Sequence, residues 1–393
     1  MRLFRVAAFA TAAFLPLSVG ACSVVRTNAD ASPIVIGADL ELSGIDAAVG
    51  TTYQRALQLK VDQINAAGGA AGHPIRLVVK DNHSDATVAV GDVADLIGEP
   101  DLAAIVVGSC SECAMAVAKT VDDKQIPTIS LAPANGVSRP VSERRFVFKL
   151  GPNVDDDADV IAAQLNLGTI HKFAVLTTDD VNGTDAAAAI TAQAKKVLAM
   201  PTTSPAPAQV FKASDTDLLQ PVRAALAKSP DALVISAFPT QAALVATAAR
   251  AAHFDGPMFF SSLAAGDLFL QTGQSSGAME GVVMIAPQSL VIQDVIANTP
   301  AKAQRRDWFN AYTSKYGSFS GYSLYAADAI QLITNVVTST GGSDHQRLRD
   351  AMENSQFDGV AGPLRFTPEQ HSGLMPQALT TVVDAAYRWR LQG

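Results

Sequence analysis

Ile34-Val35-Ile36-Gly37 is a β-branched run ending in glycine, and Ser43-Gly44 follows it as a turn. Leu57, Val61 and Ile64 then recur four and three residues apart, so 51–65 reads as an amphipathic helix. Ala66-Ala67-Gly68-Gly69 stops that helix, and Ile75-Arg76-Leu77-Val78-Val79 begins a second strand. Working outward, 88–97 is a second amphipathic helix and 103–107 a third strand, which runs into Gly108-Ser109-Cys110-Ser111. A helix over 112–124 and the strand Thr128-Ile129-Ser130 follow. Four β units separated by helices imply a parallel, doubly wound α/β sheet.

The rhythm then restarts. Strands are expected at 172–176, 232–236 and 258–260, with helices over 184–198 and 241–252. The Pro-rich stretch 201–207 is a loop inside this second round, because the alternation continues across it. A strand begins at 282–285, helices cover 306–316 and 325–338, and final strands lie at 364–366 and 379–383. The fold class is therefore α/β, with two doubly wound parallel-sheet lobes.

Composition agrees with a folded, two-lobed chain. Hydrophobic residues make up 48% and charged residues 17%, enough to fill sizeable cores. The formal net charge is -8, with no basic stripe, which argues against nucleic acid and against electrostatic adhesion to anionic lipid. The six histidines are scattered, with no metal-ligand spacing. Asp155-Asp156-Asp157 lacks the glycine and glutamate of a calcium loop and reads as helix-start charge in a polar crossover. No G-x-S-x-G or P-loop occurs, so no enzyme or cofactor is expected.

The N-terminus carries an address. Arg2 and Arg5 precede an apolar run over 6–17, and Val19-Gly20-Ala21-Cys22 follows. The run is too short to span a bilayer, which needs roughly 20 residues, so 1–21 reads as a secretory signal peptide. Val19-Gly20-Ala21-Cys22 resembles the lipobox of bacterial lipoproteins, in which the thiol of Cys22 would be acylated. The polar stretch 22–32 would be a tether to the extracytoplasmic face of the cell membrane. Loss of the two arginines moves the formal charge to -10.

Ile34-Val35-Ile36-Gly37, Leu42-Ser43-Gly44, Gly50, Ile64-Asn65-Ala66-Ala67-Gly68-Gly69, Gly72, Ile75 and Asp81 occur in a fixed order. In them the chain resembles the type I periplasmic solute-binding proteins, specifically the leucine/isoleucine/valine-binding group of ABC importers. Weaker echoes are Asp217-Leu218, Pro230-Asp231-Ala232, 322–329, and Phe357-Asp358-Gly359 with Gly362-Pro363. The resemblance implies three crossovers, near Gly151, Gly281 and Ser343, and a ligand held between the lobes. The N-terminal lobe would be 33–150 plus 283–343, and the C-terminal lobe 151–282 plus 344–393. It also implies a small-molecule ligand, an ABC importer permease as partner, and a monomer.

Carried over singly, the family's positions give a mixed site. Ser111 matches the serine that holds the ligand carboxylate, and Ala132 a backbone contact. Ala134 stands where a threonine is common, Val49 where an aromatic residue packs on the ligand, and Asn182 where tyrosine is common. Phe238 falls on a second aromatic position. Around Ser261-Ser262-Leu263 the acid that pairs with a ligand ammonium is missing; Asp267, Asp179 or Asp180 could replace it, although a solvated loop suits the last two. Other polar ligands, such as an amide, a modified amino acid or an aromatic acid, stay open.

Cys110 and Cys113 form C-S-E-C at a helix start, where thiol pKa values fall. A local structural disulfide is the plainer reading outside the cytoplasm; two thiols, a metal-sensitive pair or a redox pair are alternatives. Three functions follow: a binding lipoprotein for import, a ligand sensor for a membrane partner, and an extracytoplasmic thiol oxidoreductase.

Overall fold

The computed structural model describes residues 31–167, 170, 172–198, 208–266, 269, 277–385 and 388–392. The expected signal peptide, Cys22, most of the tether, the 201–207 loop and Asp267 lie outside the described residues.

The first sheet holds β1 (Ile34–Leu40), β2 (Ile75–Asp81), β3 (Leu102–Val107), β4 (Thr128–Ser130) and β5 (Val147–Lys149), in the order β2-β1-β3-β4-β5. Every neighbouring pair is parallel. Helices α1 (Ala47–Ala66), α2 (Ala86–Ile97) and α3 (Ser111–Asp123) connect the strands. Crossover helices cover both faces of such a sheet, so β1 and β3 are buried at every position; β3 reads as a continuous apolar run and β1 as one broken by Asp39.

The second sheet repeats the arrangement with β6 (Phe173–Thr178), β7 (Gln209–Phe211), β8 (Ala232–Ser236), β9 (Met258–Phe260) and β10 (Val282–Pro287). Its parallel part runs β10-β9-β8-β6-β7. Helices α4 (Val154–Leu167), α5 (Val181–Val197), α6 (Leu219–Leu226) and α7 (Pro239–Ala251) belong to this half. Periodicity had given no expectation for the three-residue strands β5 and β7 or for the short α6.

The chain then returns to the first lobe. Trp308 and Tyr312 of α8 (Pro300–Tyr316), Tyr322 and Ile330 of α9 (Tyr322–Thr340), and Leu348 of α10 (His345–Glu353) join the core built on β1 and α1. A small hairpin, β11 (Gln356–Asp358) with β12 (Pro363–Arg365), follows. Finally β13 (Leu379–Asp384) pairs antiparallel with β10, and β14 (Trp389–Leu391) pairs with β13, so an antiparallel edge extends the second sheet.

Two lobe boundaries drawn from the sequence are corrected by these pairings. Residues 283–287, assigned to the N-terminal lobe, lie in β10, between β9 and β13 of the second sheet. Residues 344–374, assigned to the C-terminal lobe, pack on the first. There His345 Nε2 lies 2.6 Å from the Leu102 carbonyl, Arg349 Nε donates to the Arg145 carbonyl at 3.0 Å, and Phe366 packs edge-on against Phe148. Those boundaries rest on the resemblance, which puts crossovers near Gly281 and Ser343. Gly281 (φ 72°) turns the chain into β10, and Gly341 (φ 76°) is the left-handed cap of α9, so both punctuate a lobe and neither marks a passage between lobes. Leu290 and Val291 still pack in the second-lobe core and Asp294 pairs with Arg390 of β14, so the passages fall beyond Asp294 and between Leu374 and Leu379.

Candidate ligand-binding cleft

Loops beyond the carboxyl ends of the strands in the two sheets meet one another, the position where open α/β sheets bind ligands. Backbone and side-chain hydrogen bonds join them. The Val181 N–H, at the start of α5, donates to Glu112 Oε1 at 3.0 Å, and the Asn135 N–H donates to Asp185 Oδ2 at 2.8 Å. The Tyr322 hydroxyl donates to the Leu263 carbonyl, and the Gly321 N–H donates to the Ala265 carbonyl at 2.8 Å.

Of the residues singled out from the sequence, Ser111, Ala132 and Ala134 come together. Ser111 opens α3, and its hydroxyl accepts the Ala134 N–H at 3.3 Å; the Ala132 N–H donates to Ser130 Oγ at 3.2 Å. Ala132 and Ala134 share an apolar cluster with Cys110 and Cys113, and Val181 packs against it from the other lobe. The neighbouring Asn182 is buried, and neither its amide oxygen nor its amide nitrogen has a partner. Buried amides are almost always bonded, so these two atoms stand apart from the rule. Phe238 leaves the end of β8 and lies 6.2 Å from Tyr322 across the lobe interface. Val49 is buried in the first-lobe core and brings no polar side-chain atom.

Asp180 caps α5, its carboxylate accepting the Gly183 N–H at 2.6 Å, while Asp179 is exposed. Burial pushes the Asp180 carboxyl above its usual range. Asp46 is pushed up to about 7, chiefly by burial, with Glu41, Asp180 and Glu112 adding repulsion.

Several residues of this region were not found from the sequence. Glu41 reaches from the end of β1 to the approach to α3, where its carboxylate accepts from Ser109 and Cys110. Asp157, the last of the three aspartates read as helix-start charge, turns inward from α4. Its Oδ2 accepts the Ser262 N–H at 3.0 Å and the Ser262 hydroxyl at 2.8 Å. An acid thus stands beside Ser262, brought there by another element, a contact that no local pattern encodes. Tyr53, Tyr322 and Tyr325 form an aromatic wall, with ring centroids 5.7 Å apart for Tyr53–Tyr322 and 6.4 Å for Tyr322–Tyr325. For Tyr322 and Tyr325 the sequence signal is only the 322–329 echo, and Tyr53 carries none beyond its place in the 51–65 helix.

The Cys110 and Cys113 sulfurs lie 2.02 Å apart, with both side chains buried. Thiol exchange needs an accessible sulfur, so this setting does not suit a redox catalyst. Among the described residues no group of His, Cys, Asp and Glu could hold a metal ion, and no helix is long and apolar enough to cross a membrane.

A family model described as periplasmic binding protein matches residues 33–386. The chain belongs to that family. Its two lobes have the type I periplasmic binding protein fold. This binding protein is similar to an amino acid binding protein of Pseudomonas aeruginosa, with 32% identity over 189 residues, 47% of this chain and 49% of that one. The match thus spans about half the length of that relative. It is also similar to Leu/Ile/Val-binding protein homolog 7 of Brucella abortus, with 24% identity over 359 residues, 87% of this chain and 86% of the other. Among solved structures, the branched-chain amino acid transporter substrate binding protein of Streptococcus pneumoniae, in complex with isoleucine, superposes with a TM-score of 0.76. At 24% identity, over 91% of this chain and 98% of that one, it shows the shared fold.

Proposed function

We propose that this binding protein captures a small polar ligand, an amino acid or an amino-acid-like amide, between its lobes and delivers it to the permease of an ABC importer. The observation that carries the reading is the Asn182 amide, buried and unpartnered where α5 meets the first lobe. Ser111 at the start of α3 supports it, because a helix N-terminus offers free N–H groups and partial positive charge to a carboxylate or carbonyl. In this reading Ser111, Ala132, Ala134 and Asn182 supply the polar contacts, Phe238 covers the ligand, and Val49 shapes the wall behind. The relatives' names point to the same ligand class.

Acylation of Cys22 would tether the protein to the extracytoplasmic face of the membrane, beside its permease. Cys110 and Cys113 would form a structural disulfide. The protein would act as a monomer, since each cleft is assembled from the lobes of one chain.

A thermal-shift screen of amino acids, amides and small acids tests the binding. A ligand present at 100 times its Kd contributes about 2.7 kcal/mol, so a true ligand gives a clear rise in Tm. A screen without any stabilisation overturns the reading. For the anchor, Cys22→Ser in the full chain should move the protein from the membrane fraction to the soluble one.

A further inference from the structure

We propose that Asp157 is the anionic partner of an ammonium group on the ligand, and so selects amines over their deaminated counterparts. The inference rests on the cleft reading above and narrows its ligand class.

The Asp157 carboxylate is only half used by the protein. Oδ2 takes both hydrogen bonds from Ser262, whereas Oδ1 is buried and has no partner. Holding the Ser262 turn requires one oxygen, which asparagine would also provide. A carboxylate with its second oxygen sealed from water and unmatched is costly unless a donor, best a cation, completes it. Tyr325, whose hydroxyl is likewise buried and unpartnered, feels the charge of Asp157, as does Tyr322. Tyr53 and Phe238 pack on Tyr322, so the Asp157 charge acts on the same cluster of aromatic rings, a combination that suits an organic cation.

Lys149, whose charge Asp157 feels, and Arg139 each have another partner. Lys149, at the end of β5, directs its Nζ to the Pro133 carbonyl, and burial pulls its pKa down to about 7. Arg139 pairs with Asp155 at 3.0 Å.

The test titrates the full chain and Asp157→Asn with matched compounds: L-leucine and 4-methylpentanoic acid, and L-phenylalanine and 3-phenylpropanoic acid. Asparagine keeps an oxygen for Ser262, so the ligand-free Tm checks that the fold is intact. The wild type should bind the amine of a pair about thirtyfold or more tightly than its deaminated partner. In Asp157→Asn the amine should lose about tenfold or more, while the deaminated acid stays within about threefold. Equal affinities within a pair, or an amine preference that survives Asp157→Asn, overturns the role of Asp157 and leaves the cleft reading standing. A wild type that binds nothing in this set or the wider screen overturns the cleft reading, and this inference with it.

Discussion

Glu41 and Ser109 are 68 residues apart in the chain, yet the Glu41 carboxylate accepts both the backbone N–H and the hydroxyl of Ser109 at 3.0 Å. Its other oxygen accepts the Cys110 N–H at 2.9 Å. The donors leading into α3 are therefore met by the protein's own carboxylate, which leaves Ser111 as the next polar group at that end of the helix. The fit has no slack, because a Cβ at Gly108 would stand 2.2 Å from Glu41 Oε2.

Glu41→Ala strands three buried donors, and the cost of about 1–3 kcal/mol for an unsatisfied group leads us to expect about 3 kcal/mol of lost stability in urea unfolding. Gly108→Ala should cost a similar amount by pushing the carboxylate off its donors. Unchanged midpoints in both variants would show that the loop rearranges freely.

Glu112 and Asp185 form a reciprocal latch, each carboxylate accepting a backbone N–H from the opposite lobe. Both bonds are partly solvated, which keeps each contribution modest. Glu112→Ala with Asp185→Ala should enlarge the radius of gyration of the ligand-free chain in X-ray scattering. Ligand affinity should drop about three- to tenfold, through faster dissociation.

Cys110→Ser with Cys113→Ser removes a link closing a very short loop, for which chain entropy gives about 2 kcal/mol. We expect a lower Tm and retained ligand binding. Thiol labelling of the wild type should need both reductant and unfolding, since both sulfurs are buried.

The pH dependence of stability should report on Asp157, whose carboxyl is raised by burial from 3.8 to about 7. Lys149, Asp156, Tyr322 and Tyr325 are the titratable groups that share its surroundings. Between those two values the folded protein holds a proton that the unfolded chain releases, so the Asp157 contribution falls as pH rises through the window. Asp157→Asn does not titrate there. The stability of ligand-free wild type relative to Asp157→Asn should therefore decline from about pH 4 to about pH 7 and then level off. A flat difference would place the carboxyl at its ordinary value.

The alternation of strands and helices was legible in the sequence because each element buries a face set by its own residues. Ile34-Val35-Ile36 and 103–107 announce two-sided burial, and Leu57, Val61 and Ile64 announce one face of a helix. Passages between lobes were not legible, since Gly281 and Gly341 signal a turn without saying which sheet the next element joins. The site was half legible. Ser111, Ala132 and Ala134 lie within one strand–helix unit and its neighbour, whereas Asp157 meets Ser262 across 105 residues. Such a meeting exists only once the second lobe is folded.

The return of α8, α9 and α10 to the first lobe also governs how the molecule is made. Trp308, Tyr322 and Leu348 fill the same core as Ile36 and Tyr53, so that core is unfinished until the chain is nearly complete. The inner strands of the second sheet emerge while their partner lobe still lacks one wall. Contacts this distant in sequence close slowly. Assembly is consequently a late event involving the whole chain, and neither lobe can be cut out as one continuous fragment.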